Sequence, residues 1–152
     1  MVSELHRWNQ RLQASGVCVR RLQTQLTFSL IYVYRPAMLQ KHLQHAATAD
    51  FLRGFGYTGQ SLEADLRQLQ TRLSVCPAFP HEIGIFLGYP LEDVCGFIRN
   101  QGRNFRYSGC WKVYGDPEAA QRQFDAYRVC TDLLCRCYAA GAGVEELTAV
   151  QS

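Results

Sequence analysis

The chain has 152 residues, 47% of them hydrophobic, with sixteen basic and thirteen acidic residues giving a formal charge of +3. That length supports a core but leaves no room for a second folded unit, so we expect a single domain over residues 1–152. No stretch approaches the ~18 consecutive apolar residues of a bilayer span and the segment up to Ser15 is too polar for a secretory signal, which points to a cytoplasmic protein with no membrane partner.

Leu5, Trp8 and Leu12 are spaced as one helical face, predicting a helix from Ser3 to Ser15 that ends at Gly16. Val17–Leu22 and Leu26–Tyr34 are rich in β-branched and aromatic residues, and the link Gln23-Thr24-Gln25 predicts an antiparallel hairpin. Pro36 opens a helix through His45, and Thr48 is placed as the cap of another ending near Gly54 or Gly56. Leucines 62, 66, 69 and 73 mark the apolar face of a helix that starts after Gly59 and Ser61. Ile83–Leu87, apolar and held between Pro80 and Pro90, reads as a short buried strand. Pro90, the acids Glu92 and Asp93, and Gly102 frame the next helix. Phe105–Tyr114 reads as a strand interrupted at Gly109, and Asp116-Pro117 caps a long helix reaching about Ala140. This order predicts an α+β fold, a small mixed β-sheet of about four strands with helices packed on it.

Charge is uneven. Through Ala49 there are six basic residues against one acid, and afterwards ten against twelve. The arginines alternate with apolar residues and the isoelectric point is only about 8.5, so the pattern is that of solvated faces and disfavours a nucleic-acid partner. Seven scattered cysteines, an odd number, are expected to be free thiols.

Among chemistry-bearing residues, His81 and Glu82 stand first, a base beside a carboxylate at the entrance of the expected strand. Adjacent strand residues point to opposite faces, so a structural role is favoured, with Glu82 paired to an arginine such as Arg35. Gly88, Tyr89 and Pro90 join strand to helix, where backbone N–H groups can hold an anion, but Glu92 and Asp93 would repel it. Cys110 adjoins Trp111 and Lys112, where a positive charge favours a thiolate, although a buried cysteine acting as a small hydrophobe is commoner. Cys130 and Cys137 share a helical face and read as packing residues, and His42 and His45 read as solvent-exposed. No metal site is assigned, for lack of a third ligand. The aromatic set that includes Tyr32, Tyr34, Phe86, Tyr89, Trp111 and Tyr114 is enough to line a planar-ligand pocket, where a flavin or haem would take the rings the core leaves over. The cofactor stays unknown.

The block FPHEIGIFLGYPLEDVCGFIRNQGRNFRYSGCWKVYGD, from Phe79 to Asp116, together with YVYRP at Tyr32–Pro36 and the closing Glu145-Glu146-Leu147-Thr148, resembles a family of small proteins from anaerobic bacteria catalogued only as a domain of unknown function. The resemblance implies a redox setting and no particular reaction. It also implies an upstream segment with a His-Cys pair that this sequence does not match; a chain lacking it is expected to expose an apolar patch and to form a homodimer. The functional expectation is a non-catalytic cytosolic ligand-binding or accessory protein, with a small molecule or a protein as partner and Arg35, Gly88, Tyr89, Trp111 and Lys112 as ligand-binding candidates. The alternative is a thiol or acid/base enzyme built on His81, Glu82 and Cys110.

Overall fold

The spacing of Leu5, Trp8 and Leu12 does produce a helix, α1 (Val2–Leu12), in the computed structural model, which describes residues 2–25 and 27–149. A short tight helical turn over Gln13–Ser15 follows, and Gly16, at φ 64°, ends it in the left-handed region that glycine adopts without strain. The chain then enters β1 (Cys18–Thr24), paired antiparallel with β2 (Ser29–Tyr34) in a register that sets Val19 opposite Val33 and Arg21 opposite Ile31. The turn sits later than the sequence implied: Gln25 donates its N–H to Phe28 O at 2.8 Å, and the expected boundary at Leu26 lies outside the described residues.

The outer edge of β1 is occupied. Asn9 of α1 accepts from the N–H of Val19 through Oδ1 (2.7 Å) and donates from Nδ2 to its carbonyl (2.9 Å). Gln70 Nε2 donates to Arg21 O at 2.9 Å, from the helix that packs on the same strand.

Pro36 begins α2 (Pro36–Leu43), and α3 (Ala46–Arg53) follows after His45. Thr48, expected as a cap, lies inside α3 and is buried. The leucine stripe forms α4 (Leu62–Val75), whose cap Ser61 accepts from the N–H of Ala64; Leu66, Leu69 and Leu73 are buried and Leu62 half-buried. With Leu12, Leu22, Tyr32, Leu43 and Ile85, this stripe makes the core of one unit, residues 1–88 with 148–152.

Two expectations are corrected here. Ile83–Leu87 is no strand: Ile83–Phe86 forms one helical turn, α5, begun by the Ile83 N–H bonding to Pro80 O (3.1 Å) and followed by Gly88 at φ 80°. An apolar run this short fits either period, and burial of Ile85 and Phe86 satisfies both. Nor do the strands join in one sheet. They form two separate two-stranded antiparallel sheets within a mixed helix-and-strand, α+β fold.

The second unit, residues 89–147, opens with Pro90 capping α6 (Leu91–Asn100). That helix ends on Gln101 and Gly102, both left-handed. Phe105–Tyr114, expected as one strand, folds on itself as the hairpin β3 (Tyr107–Ser108) and β4 (Lys112–Val113), with Gly109 in the turn. Asp116 caps α7 (Pro117–Ala139) by accepting from the N–H groups of Glu118 and Ala119. Trp111, Val113 and Ala120 form the core, with Tyr89, Tyr107 and Phe124 against them. Beyond Phe124, α7 buries nothing, and Val129, Leu133 and Tyr138 are exposed. A short helix α8 (Val144–Thr148) completes the described chain. Among the described residues no helix is long and apolar enough to cross a membrane.

Candidate functional site

His81 and Glu82 part company as soon as the segment turns helical. His81 is exposed, its ring 6.1 Å from that of Phe79. Glu82 is only 1% exposed and accepts from Arg72 Nε and from the hydroxyl of Tyr57 at 3.2 Å. The Glu82 carboxylate raises the pKa of the Arg72 guanidinium, while burial, aided by Glu82, pushes the Tyr57 hydroxyl well up. The arginine is Arg72 rather than Arg35. Arg35 instead donates to two carbonyls, those of Ser15 and Thr148 (2.6 Å to the latter), and so holds chain segments together.

In the second unit, Tyr89 and Trp111 are brought together, their rings stacked at 4.7 Å, with Phe124 edge-on to Trp111 at 4.5 Å. The indole Nε1 donates to Asp93 Oδ2 at 2.7 Å, and Asp93 Oδ1 accepts from the N–H groups of Tyr114 (2.7 Å) and Gly115 (2.9 Å). A carboxylate first noted for its place in the opening turn of α6 is thus the post on which the hairpin and its exit loop hang. Lys112 donates to Gly102 O at 2.8 Å and lies over the rings of Phe105 and Phe97. Cys110, expected to be buried, is exposed, because it occupies the hairpin turn rather than a strand interior. Burial and then Cys110 raise the pKa of the Tyr89 hydroxyl. Cys110 and His81 belong to different units.

All seven cysteines are free; Cys130 is exposed rather than packed, and Cys137 is half-buried. Tyr32 and Tyr34 stack at 4.9 Å on one face of the hairpin, as their alternation implied. Of the two histidines on and after α2, His45 is exposed but His42 is half-buried, with Nε2 enclosed and without a hydrogen-bond partner. Among the described residues no three His, Cys, Asp or Glu side chains are grouped to hold a metal ion.

One concavity is formed by residues that sequence patterns did not flag. A pocket of about 180 Å³ lies in the first unit between α2, α3 and the start of α4, bounded by the loop from Tyr57 to Ser61. Leu43, Ala49, Leu52 and Leu62 give it apolar walls, Gln40, Thr58 and Ser61 add polar groups, and Arg53, whose guanidinium is paired with Asp50, also lines it. Asp65, 5% exposed, lines it as well. One oxygen of its carboxylate, Oδ1, accepts from the Gly59 N–H at 3.0 Å, and Gly59 is held at φ 65° to present that donor. The sequence signal was slight: an aspartate beside the leucine stripe, six residues after a glycine. A pocket of this size suits a ligand of about benzene size, and a buried carboxylate with a single donor favours a cationic or donor-rich group.

A family model described as "Protein of unknown function (DUF3793)" matches residues 1–148. No curated protein and no solved structure matches the chain.

Proposed function

We propose, for a chain that belongs to the DUF3793 family, a non-catalytic ligand-binding or accessory role in the cytosol, with the pocket of the first unit as its ligand site. The observation that carries this reading is Asp65, a carboxylate only 5% exposed that lines a cavity and accepts an N–H from Gly59 through one of its two oxygens. Burying a charge in that way is costly unless something compensates it. A ligand with a protonated amine and a small apolar body would supply the compensation, the amine at Asp65 and the body against Leu43, Leu52 and Leu62. The remaining chemistry-bearing groups in this unit support a passive role: Glu82 is engaged by Arg72 and Tyr57, and Arg35 by backbone carbonyls. The redox setting rests on the resemblance alone.

Titration calorimetry with a panel of small primary and quaternary amines, matched against carboxylic acids of the same carbon skeleton, tests the proposal. Binding by amines only, abolished in Asp65→Asn with the fold retained, is the expected result. Equal response to the acids, or binding that survives the substitution, would remove the pocket from consideration. The runner-up is a thiol or acid/base enzyme using His81 and Cys110, favoured by the exposure of Cys110. It requires that alkylating Cys110 abolish turnover of a substrate, whereas the binding role leaves amine affinity untouched.

A further inference from the structure

The two edges of the β1–β2 hairpin are treated differently by the rest of the chain, and the difference can be read from the ladder. In an antiparallel pair, opposed residues alternate between those that exchange both backbone hydrogen bonds and those whose N–H and C=O groups point away from one another. Val19 has its N–H and its carbonyl taken from outside by Asn9, and Arg21 has its carbonyl taken from outside by Gln70. Val19 and Arg21 are therefore members of the outward-pointing pairs. Their opposites across the ladder are Val33 and Ile31, which must direct their own N–H and C=O groups away from β1, along the far edge of β2.

Nothing among the described residues hydrogen-bonds to those outward groups. The side chains beside them are uncovered too, Ile31 41% exposed and Val33 58%. Ser29–Tyr34, SLIYVY, contains no charge and no proline, and the ladder's irregularity falls on β1, between Arg21 and Gln23. Those are the usual devices that keep an edge strand from pairing, and this one has none of them. A strand of strong β propensity thus presents open backbone groups and β-branched side chains together.

We propose that this edge is an interface with a second copy of the chain, β2 against β2, antiparallel about a two-fold axis at Tyr32. In that register Ile31 stands opposite the partner's Val33. The outward residues of each strand then exchange both backbone bonds, and the two β-branched side chains meet on one face. The result is one continuous sheet in the order β1-β2-β2-β1. An identical strand fits better than a charged foreign peptide, because the edge offers no counter-charge. Arg20 and Arg21 are on β1, one strand removed, with Arg20 held by Glu63 and Gln70, and Arg35, next after Tyr34, is engaged by the carbonyls of Ser15 and Thr148. An uncharged strand opposite itself sets no like charges against each other. The interface is isologous and closes on itself. It is independent of the pocket and of the ligand proposed there.

The test is sedimentation equilibrium of the full chain under reducing conditions, with Val33→Lys and Ile31→Lys as separate variants and circular dichroism to verify their fold. Both side chains are exposed, so each variant should fold while placing a charge at the edge. A dimer whose dissociation constant rises at least about tenfold in each variant is expected. Amide exchange at Ile31 and Val33 should also slow as wild-type concentration rises. A chain that stays monomeric up to about 0.1 mM overturns the proposal. So does a dimer that both variants leave intact, which would place the contact elsewhere, or exchange at these two amides that is already slow in the monomer.

Discussion

Replacing Asp93 by alanine should unfold the second unit at much lower denaturant, and the size of the effect follows from the bonds lost. The carboxylate, 4% exposed, accepts from Trp111 Nε1 and from the N–H groups of Tyr114 and Gly115, all within 2.9 Å. Removing it leaves those three donors facing a small void. A buried donor without an acceptor costs about 1–3 kcal/mol, and water can reach part of the loop at Tyr114, so the expected total is about 3–5 kcal/mol. That is a large share of the roughly 5–15 kcal/mol that separates most folded domains from their unfolded chains. Asp93→Asn is the discriminating variant. Its carbonyl can still serve Tyr114 and Gly115, but its amide sets donor against donor at Trp111, for a loss of about 1–3 kcal/mol. Adding Trp111→Phe, which removes the indole donor, should return part of that loss. The assay is urea unfolding followed by Trp111 fluorescence in a Trp8→Phe background, so that the signal comes from the second unit alone, with far-ultraviolet circular dichroism following the Trp111→Phe variants and their matched controls. Asp93→Ala within about 1 kcal/mol of wild type would mean the three bonds are not what holds the hairpin.

The Glu82–Arg72 pair should respond asymmetrically, because the carboxylate is 1% exposed and the guanidinium 23%. Arg72→Met strands the buried charge and should cost about 3–5 kcal/mol by chemical denaturation, Glu82→Met less, and the double substitution least; equal single-variant losses would contradict this. Burial holds the hydroxyls of Tyr32 and Tyr57 well above the ordinary phenol range. A pKa raised in the folded state favours the neutral phenol there, so the stabilisation is complete below ~pH 10, where unfolded tyrosine ionises, and is lost as pH climbs above it. Ultraviolet titration should show these two ionising only as the protein unfolds, and smooth ionisation of all eight tyrosines in the folded state would rule that out. Gly109→Ala would put a Cβ 2.3 Å from two ring carbons of Phe124, and should lower stability by about 1–3 kcal/mol in thermal unfolding. An unchanged midpoint would show that the hairpin turn moves freely away from α7.

What was legible in the sequence was local. Ser61 before the leucine stripe and Asp116-Pro117 before α7 fixed two helix starts, because a cap and the turn it serves are neighbours in the chain. The Ile83–Phe86 turn was misread because a short apolar run between prolines carries no period. Phe105–Tyr114 was misread because a two-residue pairing is set by Asp93, more than ten residues away, and not by β propensity within the segment. The same holds at the candidate site. Glu82 was correctly expected to meet an arginine, but which one depends on how α4 packs, and Asp65 looks like any acid in a first helical turn until α2 and α3 close over it.

Asn9 carries a consequence for how large any assembly can become. Its side-chain amide imitates the backbone of a missing strand, offering Val19 an acceptor and a donor in the positions a neighbour would use. A sheet sealed in this way on one side can be extended from the other side only. When two such sheets join through their open sides, both outer rims are sealed, and addition stops at a pair instead of running on into a filament. Exchanging Asn9 and Gln70 together for alanine would change no charge, yet it would strip both side-chain amides from each rim and free the outward backbone groups of Val19 and the carbonyl of Arg21 for a further strand.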